Sequence, residues 1–254
     1  MEINVNNLVI NYKKSGHGQP VILMHGWGQN LEMMYTIENN LVDNYTVYNI
    51  DLPGFGYSDE PDYPYTISDY VAFLKEFIRL NKIDNPIIIA HSFGCRIALK
   101  YASENDNLDC MILTGAAGLK SKKTLLYYLR VSFYKIVKKF KNFPFIKYYI
   151  QEYMDNSGSE DYKNSSPIMK EVLKNTINED LEPILDKVKV PTLLIFGSED
   201  DATPLWMGEI LNNKIAHSKL IVYPNASHYA YLERSEDFKN DCNQFLKEGL
   251  NDVR

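Results

Sequence analysis

The chain has 254 residues, 45% of them apolar and 24% charged, the balance of a folded globular protein and not of a disordered one. A formal net charge of −6 repels nucleic acid and excludes a role built on it. Three widely spaced cysteines, Cys95, Cys110 and Cys242, make neither a disulfide framework nor a CxxC metal site.

No basic start followed by an apolar run marks the N-terminus, and the longest apolar stretches, Val21–Met24 and Pro86–Ala90, are far too short to span a bilayer. The expectation is a cytosolic, reduced protein with no transmembrane segment.

In chain order, short strands are predicted around Ile3 and over Leu8–Tyr12, closed by the turn signal Ser15-Gly16-His17-Gly18. Pro20–Met24 is a continuous apolar run, as expected of a strand buried on both faces, and ends at His25-Gly26-Trp27-Gly28. Tyr45–Ile50 is a further strand, followed by Asp51-Leu52-Pro53-Gly54-Phe55-Gly56. Helical spacing over Ile67–Leu80, with Thr66 as its N-cap, precedes a strand at Pro86–Ala90 and a helix at Phe93–Ala102. Strands at Met111–Leu113, Val190–Phe196 and Leu220–Val222 follow, then a C-terminal helix through Phe238, Phe245 and Leu246. Strands alternating with helices predict an α/β fold with a mostly parallel central sheet flanked by helices.

From Leu119 to Asp186 the alternation stops and helical patterns alone remain. This is read as a helical cap (119–186) inserted into a core domain made of 1–118 and 187–254. Residues Leu119–Ile150 carry nine Lys or Arg and no Asp or Glu. On a helix from Thr124 to Lys141, Leu125, Leu129, Phe133, Ile136, Val137 and Phe140 share one face, and the basic residues take the other. The favoured account is an amphipathic cap whose lysines meet water. The sharper one is a weak contact with anionic lipid or an acidic substrate.

The chemistry concentrates at Ala90-His91-Ser92-Phe93-Gly94, between a buried strand and a helix. A sharp turn there thrusts Ser92 out over the sheet edge and demands small residues two before and two after it, which Ala90 and Gly94 supply. The plain alternative is Ser92 as an ordinary N-cap. A serine nucleophile needs a base and an orienting acid. His228, in Pro224-Asn225-Ala226-Ser227-His228 after the last strand, is the best base of the five histidines. His17 and His217 sit in connections where solvated histidines are expected, and His91, beside the nucleophile, should point another way. The segment Phe196–Pro204 offers three carboxylates, Glu199, Asp200 and Asp201, at a strand's C-terminal end. Two oxyanion donors are expected: the N–H of Phe93, at the helix start, and the N–H of Trp27, aimed by its flanking glycines.

Together His25–Gly28, Asp51–Ser58, Ala90–Gly94, Gly197-x-x-Asp200 with Pro204, and the His228 loop resemble the α/β-hydrolase superfamily over nearly the whole chain outside the cap. The resemblance implies the chain order nucleophile, acid, base, and selects Asp200, three residues after Gly197. The Asp51–Ser58 loop it implies to be a structural pocket edge. Ala90 and Cys95 depart from its usual glycines, and Cys95 is read as a small packing residue, with a reactive thiol as the other reading.

The implied activity is hydrolysis of a small, apolar carboxylic ester through an acyl-enzyme on Ser92, with no cofactor and no metal. The alternatives are carbon–carbon bond hydrolysis on the same triad and a slow-turnover ligand receptor. Dehalogenase-type chemistry is disfavoured, because the elbow carries Ser92 where an Asp would be needed. Oligomeric state is not legible.

Overall fold

The computed structural model describes residues 1–120 and 165–248. Eight strands form one sheet: β1 (Glu2–Val5), β2 (Leu8–Gly16), β3 (Gln19–Met24), β4 (Tyr45–Ile50), β5 (Ile87–His91), β6 (Met111–Thr114), β7 (Thr192–Gly197) and β8 (Ser218–Tyr223). Their order is β1-β2-β4-β3-β5-β6-β7-β8. The pairs from β4 through β8 are parallel; β1 and β2 run antiparallel to their neighbours.

The predicted continuous runs are the central strands. β5, β6 and β7 are buried along their whole length, and β3 from Val21 to Met24, because both faces are covered. Successive side chains alternate between the two layers. Ile22 and Met24 join the core with Ile88, Ala90 and Phe196, whereas Val21 and Leu23 join the opposite core with Ile87, Ile89 and Ile195. The first core is covered by α2 (Ile67–Leu80), α3 (Phe93–Glu104) and α5 (Leu205–Lys214), with Phe73, Phe77, Leu99 and Met207 pointing in. The second is covered by α1 (Tyr35–Leu41) and α7 (Ser235–Glu248), through Ile37, Leu41, Phe238 and Phe245. Helix α4 spans Pro167–Asn178 and the short α6 spans Ala230–Glu233.

Local chemistry sets the element ends. Thr66 and Asp69 form a capping box at the start of α2: the Thr66 N–H donates to Asp69 Oδ2 at 2.7 Å and the Asp69 N–H to Thr66 Oγ1 at 3.4 Å. Strand β2 runs on to Gly16, past the predicted stop, because Lys13–Gly16 pair with Thr46–Asn49 of β4. α1 and α5 were not predicted; both are short, and the apolar residues of α5 give only a weak face.

The chain leaves β3 for β4 on one side and reaches β5 on the other, so the ends of β3 and β5 flank a topological switch point, where open α/β sheets build their sites. Residues 115–191 join β6 to its sheet neighbour β7. The helix expected over Thr124–Lys141, and every basic residue of Leu119–Ile150 except Lys120, lie outside the described residues. Among the described residues no helix is long and apolar enough to cross a membrane.

Helix α3 can start hard against β3 only because residue 94 is glycine. A Cβ there would lie 2.6 Å from Met24 O and 2.9 Å from His25 O, backbone atoms that cannot swing aside. Gly94→Ala is therefore expected to destabilise the fold by about 1–3 kcal/mol. The urea midpoint reads it, and an unchanged midpoint would show that the start of α3 tolerates displacement.

Candidate active site

Ser92 ends β5 and opens α3 with φ 49° and ψ −107°, a left-handed region that costs a non-glycine residue about 1–3 kcal/mol. Surrounding hydrogen bonds hold it there. The Ser92 N–H donates to Thr114 O at 3.1 Å, and Ser92 O accepts from Cys95 N at 3.1 Å and Ala117 N at 3.3 Å. Next in the chain, the Gly94 N–H donates to His25 O at 3.2 Å. Its hydroxyl caps nothing in α3, so the N-cap reading explains only the backbone.

Residues far apart in sequence converge on that hydroxyl. His228 Nε2 lies 2.9 Å from Ser92 Oγ, and His228 Nδ1 lies 2.8 Å from Asp200 Oδ2. The tautomer that satisfies both has the Nδ1–H donating to the carboxylate and Nε2 accepting from the serine. Asp200 is buried, whereas Glu199 and Asp201 beside it are exposed. The loops that carry Asp200 and His228 are joined directly: the Glu199 N–H donates to Ala226 O at 2.9 Å and the Asn225 N–H to Ser198 Oγ at 2.9 Å. Gly197 permits this approach, since a Cβ there would lie 2.2 Å from Ala226 O.

One participant was not foreseen. Thr203 donates its hydroxyl to Asp200 Oδ2 at 2.7 Å and its N–H to Asp200 Oδ1 at 2.8 Å, and its Oγ1 is 3.3 Å from His228 Nδ1. The signal available in the sequence was an Asp followed three residues on by Thr, a pairing typical of Asx-type turns.

The glycine-rich turn after β3 is fixed by His25. Its Nδ1–H donates to Gly26 O at 2.7 Å and its Nε2 accepts from the Leu52 N–H at 3.1 Å. The Gly26 N–H donates to Gln29 Oε1 at 3.0 Å. Neither the Trp27 nor the Phe93 backbone N–H has an acceptor among the described residues, and both residues line the cavity of about 270 Å³ that reaches Ser92. The Trp27 ring packs edge-on against Phe55 and Phe93 and so belongs to the pocket wall and the core at once. Asp51 accepts from Leu31 N at 2.7 Å, Tyr57 N at 2.9 Å and Asn11 Nδ2 at 2.8 Å, which pins the Asp51–Ser58 loop as a pocket edge.

His91 does not reach Ser92. It is buried, its Nδ1 bonded to Thr114 O at 3.1 Å, with its ring 4.7 Å from that of His228. Cys95 donates its thiol to Ala90 O at 3.2 Å, and burial pushes the thiol well above its ordinary value, which argues for the packing role. Among the described residues no group of three or more His, Cys, Asp or Glu could hold a metal ion.

Comparison with known proteins matches residues 19–154 to the family described as "alpha/beta hydrolase fold" and residues 171–254 to that described as "TAP-like protein". The first match covers more than half of the chain. The chain belongs to the alpha/beta hydrolase fold family. It is 28% identical to a 2-hydroxy-6-oxo-6-(2'-aminophenyl)hexa-2,4-dienoic acid hydrolase of Metapseudomonas resinovorans, over 96% of this chain and 89% of that protein. It is 29% identical to a pimeloyl-[acyl-carrier protein] methyl ester esterase of Neisseria meningitidis, over 91% and 93%. A solved esterase from Exiguobacterium antarcticum superposes with a TM-score of 0.76 at 24% identity, covering 97% of this chain and 98% of that one. As a member of this family the protein is a hydrolase.

The electrostatics of this alpha/beta hydrolase separate one carboxylate from two silent imidazoles. Burial pushes the Asp200 carboxyl up, but the hydrogen bonds from His228 and Thr203 and the pull of His228 outweigh it and hold the group below its ordinary range. Burial drives His25 from the usual 6.5 to about 4 and His91 to about 3, so both stay neutral. Below pH 6.5 the unfolded chain takes up protons on these two histidines that the folded chain refuses. Their stabilisation is thus complete above 6.5 and is lost as pH falls through their folded values, by up to about 1.4 kcal/mol per pH unit for each. Denaturant midpoints should decline steadily from pH 6.5 to pH 4.5; a flat profile would mean that neither imidazole is held neutral.

Proposed function

We propose that this hydrolase cleaves carboxylic esters of small, apolar substrates through an acyl-enzyme on Ser92. The observation that carries the reading is the unbroken hydrogen-bond chain Ser92–His228–Asp200, 2.9 Å and 2.8 Å long in its two steps. His228 Nε2 takes the Ser92 proton as Oγ attacks the ester carbonyl carbon. The N–H groups of Trp27 and Phe93 stabilise the oxyanion, and the second of these lies at the N-terminal end of α3, where the helix favours negative charge. His228 then gives its proton to the leaving alcohol. Water, deprotonated by His228, attacks the acyl-enzyme, and collapse of that second intermediate frees the acid and restores Ser92. Asp200 holds the Nδ1–H tautomer and stabilises the imidazolium, and Thr203 holds Asp200.

Carbon–carbon bond hydrolysis is the second reading, favoured by the likeness to the Metapseudomonas dienoic acid hydrolase. Product analysis separates it, because a different bond is broken. We also take 119–186 as a cap over the site; α4 and Leu119 at its ends contribute Leu173, Ile177 and Leu119 to the cavity wall.

With p-nitrophenyl esters of graded chain length, Ser92→Ala should lose about 10⁶-fold in kcat and Asp200→Asn about 10⁴-fold. Retained turnover, or acyl labelling at a residue other than Ser92, would remove the assignment. The basic stretch has its own test in liposome sedimentation with Lys138, Lys139 and Lys141 reversed to Glu. We expect equal, negligible binding by both proteins, the result of a solvent-facing cap; binding lost on reversal would establish lipid contact instead.

A further inference from the structure

Arg96 lies in the first turn of α3, four residues after Ser92. It is 6% exposed and lines the same cavity as Ser92, Trp27 and Phe93. An arginine has five N–H donors, and a buried charge is costly unless it is paired and hydrogen-bonded. Among the described residues Arg96 uses a single donor atom, Nη1, on the backbone carbonyl of Glu179 at 2.9 Å, and it has no ion pair.

The neighbouring carboxylates are engaged elsewhere. Glu179 Oε1 accepts from Lys100 Nζ at 2.5 Å, and Asp180 Oδ1 accepts from the Glu182 N–H at 3.2 Å. Burial lowers the guanidinium to about 10 against the attraction of Glu179 and Asp180, so it remains a cation at neutral pH. The cavity wall around it is otherwise largely apolar, with Phe93, Leu119, Leu173 and Met207. The indole N–H of Trp27 is likewise buried, with no acceptor among the described residues. An apolar chamber with one buried, under-paired cation suits an apolar chain that ends in an anion. At about 270 Å³ the cavity has room for a short acyl chain.

We propose that Arg96 binds a carboxylate at the far end of the substrate's acyl chain, so that the preferred substrates are esters of short dicarboxylic acids with one free carboxylate. The inference rests on the ester reading of Ser92. The carbonyl whose oxygen meets the Trp27 and Phe93 N–H groups directs its acyl chain into this cavity. Charge-assisted hydrogen bonds of this kind are worth about ten- to a hundredfold in binding.

The test compares mono-p-nitrophenyl glutarate with p-nitrophenyl pentanoate, equal in chain length, and the adipate with the hexanoate. The wild type should favour the carboxylate-bearing ester by at least about tenfold in kcat/KM. Arg96→Gln, whose amide can still donate to the Glu179 carbonyl, should bring the ratio close to one. A wild-type ratio of one or less, or a ratio that survives Arg96→Gln, overturns the proposal and leaves Arg96 as a tether for the end of α4. Calorimetric titration with glutarate and with pentanoate needs no turnover. Tighter glutarate binding that is lost in Arg96→Gln supports the site, and equal binding of the two acids overturns it. If neither ester is cleaved, the ester reading falls and the titration alone decides the carboxylate site. If Arg96→Gln does not fold, the wild-type preferences decide it.

Discussion

The structure depends on one unfavourable backbone conformation, that of Ser92. No single contact compels a serine to sit at φ 49° and ψ −107°. Thr114 O of β6, Cys95 of α3, Ala117 of the segment after β6 and, one residue on, His25 O at the end of β3 all bear on the turn. Because these partners come from both sheet neighbours of β5, the turn is strained only as long as the sheet around it is intact. That is how about 1–3 kcal/mol of local strain persists in a molecule whose net stability is of the order of 10 kcal/mol. The same geometry sends the hydroxyl away from the helix that follows and toward His228.

A layer of buried polar groups behind the turn does similar work on the loops. His25 bridges Gly26 and Leu52, Asp51 bridges three chain segments, and Glu38 receives Lys13, Ser15 and Asn49. Each is satisfied, which is what allows a buried polar group to specify a loop shape without a large penalty. Neutrality of the two histidines is part of this. A proton on His25 would leave Leu52 N–H facing a donor, and a proton on His91 would set a charge against the ring of His228. Acid sensitivity and loop geometry are therefore one property of the same residues.

Much of this was legible in the sequence, for identifiable reasons. β3, β5, β6 and β7 are buried on both faces, so they appear as unbroken apolar runs, and Thr66 with Asp69 announces the start of α2. α1 escaped notice because seven residues show too little periodicity, and the end of β2 because Lys13–Gly16 is polar where it pairs at the sheet's antiparallel side. Ser92 could be singled out by the small residues around it. The choice of Asp200 among three neighbouring carboxylates needed the family resemblance, since burial, which separates it from Glu199 and Asp201, is a tertiary property. For Thr203 the sequence offered only an Asp followed three residues on by Thr, because its role follows from the shape of the turn after β7. Arg96 has a legible helical position, but no local rule tells a guanidinium that faces solvent from one that faces a cavity.

Ser92 and Arg96 therefore divide the same helix turn between two different constraints. The position of Ser92 is dictated by sheet geometry, and it says little about a substrate beyond the reactive carbonyl of the proposed reading. Arg96 is bound by no such rule: an apolar residue would fill its place and spare the desolvation of a cation. A charge kept there at that cost, with an under-used set of donors beside an apolar cavity, requires a compensating interaction. The Glu179 carbonyl supplies part of it by tying α3 to the end of α4. A single neutral carbonyl satisfies only part of a guanidinium's donor set, and Arg96 lines the cavity that reaches Ser92. On the proposed reading, specificity comes from residues that the fold leaves free, with the buried cation of Arg96 as the group whose chemistry would select a ligand.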